Sequence, residues 1–241
     1  MKFIQIPTLA GAQKESWKAL LEVAERLPDG WTLIGGQLVQ LHCWERGSEP
    51  GRITTDVDTV LDVISDPMIL ERFTGMLNQI GFSPETTPEG HQYKWRRGLA
   101  EIDLLFPNNV GERTLSKLGV TGGTIIETLG GRRVLDFSEK VLISLDGAEG
   151  IINRPHLFGA IFAKSVALAN VNDVGRDRHL RDLAILVTHF SGEDLTPNLN
   201  LKVREKVNSG IARLRSQPGI LALTEGSIDG LARLAVALET S

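Results

Sequence analysis

The chain contains a single cysteine, Cys43, among its 241 residues. A single cysteine excludes an internal disulfide and a zinc site built from several cysteines. Because this cysteine usage is typical of a reducing compartment, we predict a cytoplasmic protein. The first seven residues, MKFIQIP, lack the long apolar run of a secretory signal, and no later stretch is apolar enough to span a bilayer. We therefore expect no membrane partner.

The chain also lacks an excess of positive charge. Its formal net charge is −4 at pH 7, so an RNA ligand would need a local basic patch. The Walker phosphate loop and the Gly-x-Gly-x-x-Gly motif are both absent, which removes the commonest nucleotide-binding folds. The histidines show no metal-ligand spacing, and we interpret all of them as structural: His42, His91, His156, His179 and His189.

Helix and strand patterns alternate in the first part of the chain. Apolar spacing and Gly or Pro breakers predict helices over 13–27, 37–46 and 66–80. Runs rich in β-branched and apolar residues predict strands over 31–34, 53–63, 91–97 and 100–106. The segments 124–129 and 132–137 flank Gly130-Gly131 and predict a hairpin.

After about residue 150 only helical spacing remains. Helices are predicted over 155–170, 176–190, 201–215 and 228–238. This order of elements predicts an α/β (α+β) fold in two domains, 1–150 and 151–241, of which the second is helical.

Two carboxylates alternate along the strand predicted over 53–63. Asp56 and Asp58 therefore point to one face, with Cα atoms about 7 Å apart. Such a pair is repulsive unless a cation lies between the carboxylates or one of them is protonated. Mg²⁺ prefers oxygen ligands and is usually held by one or two carboxylates plus substrate phosphates. The pair indicates a metal site, and a solvated strand face is the alternative interpretation.

Two further features favour the metal site. Gly35-Gly36 follow the strand predicted over 31–34, where glycine lets backbone N–H groups approach a phosphate at the start of a helix. Glu101 and Asp103 alternate on the strand predicted over 100–106, and burying an acid in an apolar strand is costly without a partner or a metal. Three carboxylates from two strands beside a glycine turn form the arrangement that two-metal phosphoryl transfer needs.

Taken together, the motifs resemble the polymerase-beta-type nucleotidyltransferases. Within that superfamily they are most similar to the AbiEii group, the toxins of toxin–antitoxin and phage-abortive-infection systems. The resemblance covers roughly residues 30 to 190. It is carried by Gly35-Gly36, Leu41-His42, Arg52, Thr54, Asp56-Val57-Asp58, Asp103, Lys164, Ala167, Arg176-Asp177 and Asp182-Leu183-Ala184-Ile185-Leu186. It implies an N-terminal nucleotidyltransferase fold with a mixed sheet, and a helical domain that completes the active site.

The resemblance implies a metal-binding role for the strand acids. Asp56 and Asp58 would hold the metal ions, Mg²⁺ or Mn²⁺, that bind the triphosphate of an NTP. Asp103 would complete the metal site and would orient or deprotonate the acceptor hydroxyl. Glu101 lies on the same strand face and is the alternative residue for that position.

The same resemblance implies nucleotide contacts from both halves of the chain. Gly35 and Gly36 would contact phosphate oxygens. Lys164 would neutralise charge on the triphosphate, and Asp182 would lie near the nucleotide or brace Lys164. Gln37 departs from the family, in which a small hydroxyl residue is frequent at this position, so the phosphate contact there is expected to differ.

The function that the resemblance implies is transfer of a nucleoside monophosphate from an NTP to a hydroxyl, with release of pyrophosphate. By resemblance, the acceptor would be the 3′ end of a tRNA and the protein partner a cognate antitoxin. Two clusters of basic residues could contact RNA: Arg176, Arg178 and Arg181, and Lys202, Arg204, Lys206, Arg213 and Arg215. A small molecule such as an aminoglycoside antibiotic, or a protein hydroxyl, is the first alternative acceptor. A nucleotide-binding protein without catalytic activity is the second alternative.

Overall fold

The computed structural model describes residues 1–86, 92–108, 126–170 and 175–240. The helices in these ranges are α1 (Gly11–Arg26), α2 (Gly35–Glu45), α3 (Ile69–Gln79), α4 (Gly131–Asp136), α5 (Leu157–Ala167), α6 (Arg176–Thr188), α7 (Leu201–Arg215), α8 (Pro218–Ala222) and α9 (Ser227–Thr240). The strands are β1 (Lys2–Gln5), β2 (Trp31–Ile34), β3 (Asp56–Leu61), β4 (Ser83–Glu85), β5 (Lys94–Arg97), β6 (Ala100–Pro107), β7 (Ile126–Thr128), β8 (Ser138–Leu145) and β9 (Ala148–Pro155).

Two sheets organise the part of the chain before α5. The larger sheet is mixed, with the strand order β2-β3-β6-β5-β4 and with β7 paired to β6. Its central pair β3–β6 is parallel, whereas β2 and β5 run antiparallel to their neighbours. The smaller sheet has the order β1-β8-β9. This mixed α/β architecture with later helices confirms the predicted fold class.

The helices after β9 share one continuous apolar core with the sheets. Leu33 of β2 and Ile102 of β6 belong to the same buried cluster as Phe158 of α5 and Leu183 of α6. Within the described part of the chain, no helix combines the length and apolar character needed to cross a membrane. The division into domains 1–150 and 151–241 stays a prediction.

The predicted hairpin around Gly130-Gly131 is wrong. The residues after Gly130 form helix α4, and β7 before it pairs in parallel with β6. Gly130 has a φ of +71°, and this left-handed conformation serves here to enter a helix instead of a hairpin turn. A Cβ at Gly131 would lie 2.8 Å from the Cα of Pro107, so glycine lets α4 pack against the end of β6. Residues 124 and 125 of the predicted hairpin, like His91 of the predicted strand over 91–97, lie outside the described residues.

Strands β8 and β9 form a hairpin that we do not predict, and β9 extends to Pro155, where a helix is expected to begin. Asp146 and Gly147 connect the strands with φ values of 52° and 83°. Two consecutive residues with positive φ form the type of turn that matches the twist of a two-stranded hairpin. The hairpin carries Arg154 into the interior beside α2.

A buried polar network joins β9 to α2. The His42 Nε2 lies 3.1 Å from the carbonyl oxygen of Pro155, and Nδ1 lies 3.1 Å from the Arg154 guanidinium. Nε2–H therefore donates to the carbonyl and Nδ1 accepts from the arginine, which requires a neutral imidazole. Arg154 is fully buried and also donates to Glu45. Burial, together with the positive charge of Arg154, lowers the pKa of His42 to about 3.

We expect this histidine to make the fold acid-sensitive. In the unfolded chain His42 binds a proton below about pH 6.5, whereas in the folded chain it stays neutral down to about pH 3. The free energy of unfolding therefore decreases as the pH falls from about 6.5 to about 3. At pH 5 the loss is about 2 kcal/mol. Urea unfolding at pH 7 and pH 5 measures it, and the His42→Gln variant should lack this component. An imidazole resonance of His42 that titrates near pH 6.5 would contradict the prediction.

Candidate active site

Charged side chains form two rows across neighbouring strands of the large sheet. In the first row, Lys94 of β5 pairs in register with Asp103 of β6, which pairs with Asp58 of β3. In the second row, Arg96 pairs with Glu101, and Glu101 pairs with Asp56. Residues in register and two positions apart on a strand share a face, so all six side chains lie on one face of the sheet. The predicted alternation of the acids is therefore what brings them together.

The carboxylates of this face are close enough to share a cation. Ligand oxygens of Asp56, Glu101 and Asp103 all lie within 4.8 Å of one another. Thr54 donates a hydrogen bond of 2.7 Å from Oγ1 to Asp56 Oδ1 and so fixes the orientation of that carboxylate. Asp58 lines the same cleft as Asp56 and Asp103.

Crowding and burial make two of these carboxylates hard to ionise. Burial, and then the charge of Asp56, raise the pKa of Asp58 to about 6. Burial, and then the charge of Asp58, raise the pKa of Asp103 to about 8. Asp103 is 6% exposed, and within the described residues its Oδ1 atom has no hydrogen-bond partner. A buried oxygen of this kind is costly unless a ligand or a metal completes its contacts.

The cluster fits a divalent cation by charge as well as by distance. Two basic residues, Lys94 and Arg96, face four carboxylates in the two rows, which leaves two formal negative charges uncompensated there. Oxygen donors with this net charge are the donor set that Mg²⁺ and Mn²⁺ prefer. Asp56, Glu101 and Asp103 are the carboxylates whose oxygens lie close enough to share a cation, and Asp103 Oδ1 has no hydrogen-bond partner among the described residues. The sequence-based assignment of Asp56, Asp58 and Asp103 as the metal ligands stays a prediction.

The glycine pair lies directly against this cluster. Gly35 has a φ of +75°, and a Cβ on it would overlap the Asp58 carboxylate, whose Cγ would be only 2.6 Å away. A Cβ on Gly36 would lie 2.7 Å from Arg52 Nη2 and 2.9 Å from Thr54 Cγ2. Glycine is therefore required at both positions for side chains of the site to pass over the start of α2. The first turn of α2 has no side-chain cap among the described residues, so its N–H groups remain available for an anion.

We expect Gly35→Ala to displace Asp58 and to strain the backbone. The left-handed conformation costs an alanine about 1–2 kcal/mol. A shift of the carboxylate by about 1 Å is enough to lower catalysis on the order of a hundredfold. Tm measurements and NTP-dependent transfer assays test both effects. The matched control is Gly75→Ala in α3, where a Cβ would meet nothing within 4 Å, and which should leave transfer unchanged and raise stability slightly. Equal behaviour of the two variants would contradict the steric role of Gly35.

Lys164 and Arg52, which line the same cleft, meet at one buried carboxylate. Lys164 Nζ donates to Asp182 Oδ2 over 2.7 Å, and Arg52 donates to both Asp182 oxygens over 3.0 and 3.1 Å. Lys164 and Asp182 are 3% and 1% exposed. Although burial raises the pKa of Asp182, the charges and hydrogen bonds of Lys164 and Arg52 outweigh burial and hold this pKa below its usual value. Asp182 is thus ionised, and it braces both cations.

The loop that carries Arg52 is itself held by a chain of buried amides. Gln13 of α1 donates from Nε2 to Gln40 Oε1 over 2.9 Å. Gln40 of α2 donates in turn to the carbonyl oxygen of Arg52 over 3.0 Å. Arg52 is therefore fixed at its backbone by α2 and at its guanidinium by Asp182 of α6.

Glu101 is engaged by basic neighbours on β5. Its Oε1 accepts from Lys94, and its Oε2 lies 2.6 Å from Arg96 Nη2. Lys94 Nζ also donates to Asp103 Oδ2 over 3.3 Å. Although burial lowers the pKa of Lys94, the hydrogen bond to Glu101 and the charge of Asp103 outweigh burial and raise this pKa. Because Glu101 already has two basic partners, Asp103 is the better candidate for the third acid.

The site opens into a cavity of about 430 Å³. Six of the residues expected from the sequence line it: Gly35, Gly36, Asp56, Asp58, Asp103 and Lys164. Asp182 lies behind Lys164 and Arg52 and does not itself line the cavity. Trp44 is partly buried and packs against Trp17, and Trp95 is buried.

Three basic residues of the cavity carry no predicted role in the active site: Arg52, Lys94 and Arg178, the last of which is predicted only as part of a basic cluster that could contact RNA. A signal for Lys94 is present in the sequence, because Lys94 and Arg96 alternate on one strand as Glu101 and Asp103 alternate on the next. Arg52 stands in the resemblance, but its contact with Asp182 spans 130 residues and has no local signal. Arg178 lies one turn before Asp182 on α6 and lines the cavity near the acids.

Comparison with known proteins identifies the fold. An antigenic nucleotidyltransferase-like protein from Paracoccidioides brasiliensis has a similar solved structure, with a TM-score of 0.52 and 15% sequence identity. The similarity covers 88% of this chain and 95% of that chain. Neither a protein-family model nor the sequence of a curated protein matches this chain. The chain therefore has a nucleotidyltransferase-like fold, and its expected membership of the AbiEii group stays a prediction.

Proposed function

We propose that the protein is a metal-dependent nucleotidyltransferase that moves a nucleoside monophosphate from an NTP to an acceptor hydroxyl. The observation that carries the proposal is the register of β3 and β6, which aligns Asp58 with Asp103 and Asp56 with Glu101 beside a cavity that Lys164 and Arg52 also line. Phosphoryl transfer needs carboxylates that can hold a divalent cation, and it needs cationic side chains that can neutralise the phosphates.

The strand acids and the basic residues have different roles in this proposal. Asp56, Asp58 and Asp103 are assigned to hold Mg²⁺, which when bound neutralises charge on the triphosphate and favours ionisation of the acceptor hydroxyl. The acceptor oxygen forms a bond to the α-phosphorus, and the bond from that phosphorus to the bridging oxygen of the β-phosphate breaks. Pyrophosphate leaves with the electron pair. Asp103 Oδ1, buried and unpartnered in the described residues, is assigned to orient the hydroxyl and receive its proton.

Lys164 and Arg52 are assigned to bind the β- and γ-phosphates, which leave as pyrophosphate. Asp182 holds both side chains in place, so little conformational entropy is lost when the triphosphate arrives. The N–H groups at the start of α2, beside Gly35 and Gly36, offer further donors to phosphate oxygens. Gln37 is fully buried and does not line the cavity, so it takes no part in this assignment.

We expect Lys164→Met to slow transfer by about tenfold to a hundredfold. A charge-assisted hydrogen bond contributes about 1.5–3 kcal/mol, and each 1.36 kcal/mol corresponds to about tenfold in rate. Steady-state kinetics with varied NTP measure the loss. Lys202→Ala is the control, because this exposed lysine on α7 should leave NTP kinetics unchanged. Unchanged NTP kinetics in Lys164→Met would contradict a contact between Lys164 of α5 and the triphosphate.

For the acceptor, we propose the 3′-terminal hydroxyl of tRNA, with the protein acting in the cytoplasm as an AbiEii-type toxin that a cognate antitoxin neutralises. The sequence resemblance supports this assignment. Exposed basic residues also support it: Arg178 and Arg181 on α6, and Lys202, Lys206 and Arg215 on α7. Such residues can steer a phosphate backbone towards the cavity, where Arg178 lies on the lining.

The test is incubation with each labelled NTP, Mg²⁺ and total RNA, followed by gel separation. We expect label in the tRNA band with one or more NTPs, loss of label with EDTA, and its return with Mg²⁺ or Mn²⁺. RNA whose 3′ ends are oxidised by periodate should remain unlabelled. Label on an aminoglycoside or a protein, but not on RNA, would contradict tRNA as the acceptor and support nucleotidyl transfer as the reaction. Absence of NTP turnover with every acceptor would leave a nucleotide-binding protein and contradict the proposal.

A further inference from the structure

Lys94 is the cationic side chain closest to the metal-binding oxygens of the described site. It stands in register with Asp103 on the neighbouring strand, and its Nζ contacts both Glu101 and Asp103, the latter over 3.3 Å. Glu101 and Asp103 belong to the group of three carboxylates whose ligand atoms lie within 4.8 Å of one another. The Lys94 ammonium therefore lies where a divalent cation bound to Asp103 would repel it.

The two carboxylates differ in how much they depend on this lysine. Glu101 has a second partner, because Arg96 lies 2.6 Å from its other oxygen. Asp103 is 6% exposed, and Lys94 is its one side-chain partner among the described residues. Without Lys94 or a metal, Asp103 would be a buried acid beside Asp58 with no side-chain hydrogen-bond partner in the described residues for either oxygen, which is a costly arrangement.

Lys94 also has room to leave. Its side chain is 26% exposed and lines the cavity, and its contact with Glu101 is shorter than its contact with Asp103. Glu101 can therefore retain the ammonium group when the bond to Asp103 breaks. The long and flexible lysine side chain permits this small movement at low cost.

We propose that Lys94 is a tethered counter-ion that occupies the acidic site in the metal-free protein and withdraws from Asp103 to Glu101 when a divalent cation binds. Lys94 is thus a positioning residue that keeps Asp103 in place before metal arrives and sets the metal concentration at which the site fills. This inference rests on the metal site of the proposed function, but its tests measure metal binding and side-chain exchange and need no nucleotide transfer.

The first test is Mn²⁺ binding by calorimetry to the wild-type protein, Lys94→Met and Lys94→Gln. Removing a competing positive charge a few ångströms from the metal should tighten Mn²⁺ binding by about tenfold or more. The metal-free Tm should fall in both variants, whereas the Mn²⁺-saturated Tm should stay near the wild-type value. The matched control is Lys140→Met, which removes a strand lysine paired with the exposed carboxylate of Asp29 over 2.8 Å and should change neither quantity.

The opposite outcome has a clear meaning. If Lys94 were a fixed support for Asp103, both variants would bind Mn²⁺ more weakly than the wild type, and unchanged binding would likewise overturn the proposal. A measurement on the wild-type protein covers the case in which the variants do not fold. Acetylation of lysines followed by mass spectrometry should find Lys94 protected without metal and more reactive with Mn²⁺, with Lys140 unchanged as the reference. Equal reactivity of Lys94 in both states would overturn the exchange.

These results separate the inference from the proposed function. Tighter Mn²⁺ binding in Lys94→Met, combined with no transfer to any acceptor, would support the counter-ion role of Lys94 and contradict the proposed nucleotidyltransferase activity. Transfer that requires metal, combined with weaker Mn²⁺ binding in Lys94→Met, would support the proposed nucleotidyltransferase activity and contradict the counter-ion role of Lys94.

Discussion

Replacing Asp58 with asparagine is expected to lower nucleotidyl transfer about a thousandfold or more while the protein stays folded. Asp58 lies at the end of the first charged row, between Asp103 and the turn at Gly35. If Asp58 is a metal ligand as proposed, its loss removes metal stabilisation of several kcal/mol from the transition state. The fold should not suffer, because burial and the neighbouring Asp56 already raise the pKa of Asp58 and disfavour its charge in the metal-free protein.

The prediction separates a catalytic carboxylate from a structural one. Transfer rates and Tm values are measured for Asp58→Asn, Asp56→Asn and a control, Asp29→Asn, whose side chain is 72% exposed. We expect the two site variants to lose activity and to keep or exceed the metal-free Tm of the wild type. The control should match the wild type in both measurements. Asp58→Asn with normal transfer would eliminate the proposed metal site.

Local patterns account for the parts of the site that could be predicted from the sequence. Strand alternation places Asp56 and Asp58 on one face, and the β3–β6 register then brings Asp103 beside Asp58. The glycine pair is predictable in position, but its steric reason is not, because the overlap of a Gly36 Cβ with Arg52 involves a loop sixteen residues later. Short-range periodicity thus finds the acids, whereas close approaches between distant segments need the tertiary structure.

Turn chemistry could have predicted more of the fold. Gly98 and Leu99 connect β5 to β6, and Arg97 pairs with Ala100, so this tight turn alone sets the register that places Lys94 opposite Asp103. Asp146-Gly147 between the apolar runs of β8 and β9 is an equally strong hairpin signal. The error at Gly130-Gly131 shows the limit of the same rule, since a left-handed glycine also starts a helix when the next residues pack against a strand end.

The ion pairs of Asp182 have no signal in the sequence. Lys164 of α5 precedes it by 18 residues, and Arg52 lies 130 residues away on a loop between α2 and β3. Helical spacing places Asp182 on the buried side of α6, where an acid is unexpected, but does not say which cations compensate it. The compensation depends on how α5 and α6 pack against the strand-bearing part of the chain.

Replacing Asp182 with asparagine is therefore expected to lower the free energy of unfolding by about 3–5 kcal/mol, the usual cost of removing one partner from a buried ion pair. Lys164 is 3% exposed and would lose its carboxylate partner among the described residues. Urea denaturation measures the loss, and Asp136→Asn is the control, because its pairing with Arg133 is exposed and should contribute at most about 1 kcal/mol. Adding Lys164→Met to Asp182→Asn removes the unpaired ammonium and should recover part of the stability while transfer stays low. A wild-type free energy of unfolding for Asp182→Asn would show that neither cation depends on this carboxylate, and that the cavity wall is held by the surrounding apolar core alone.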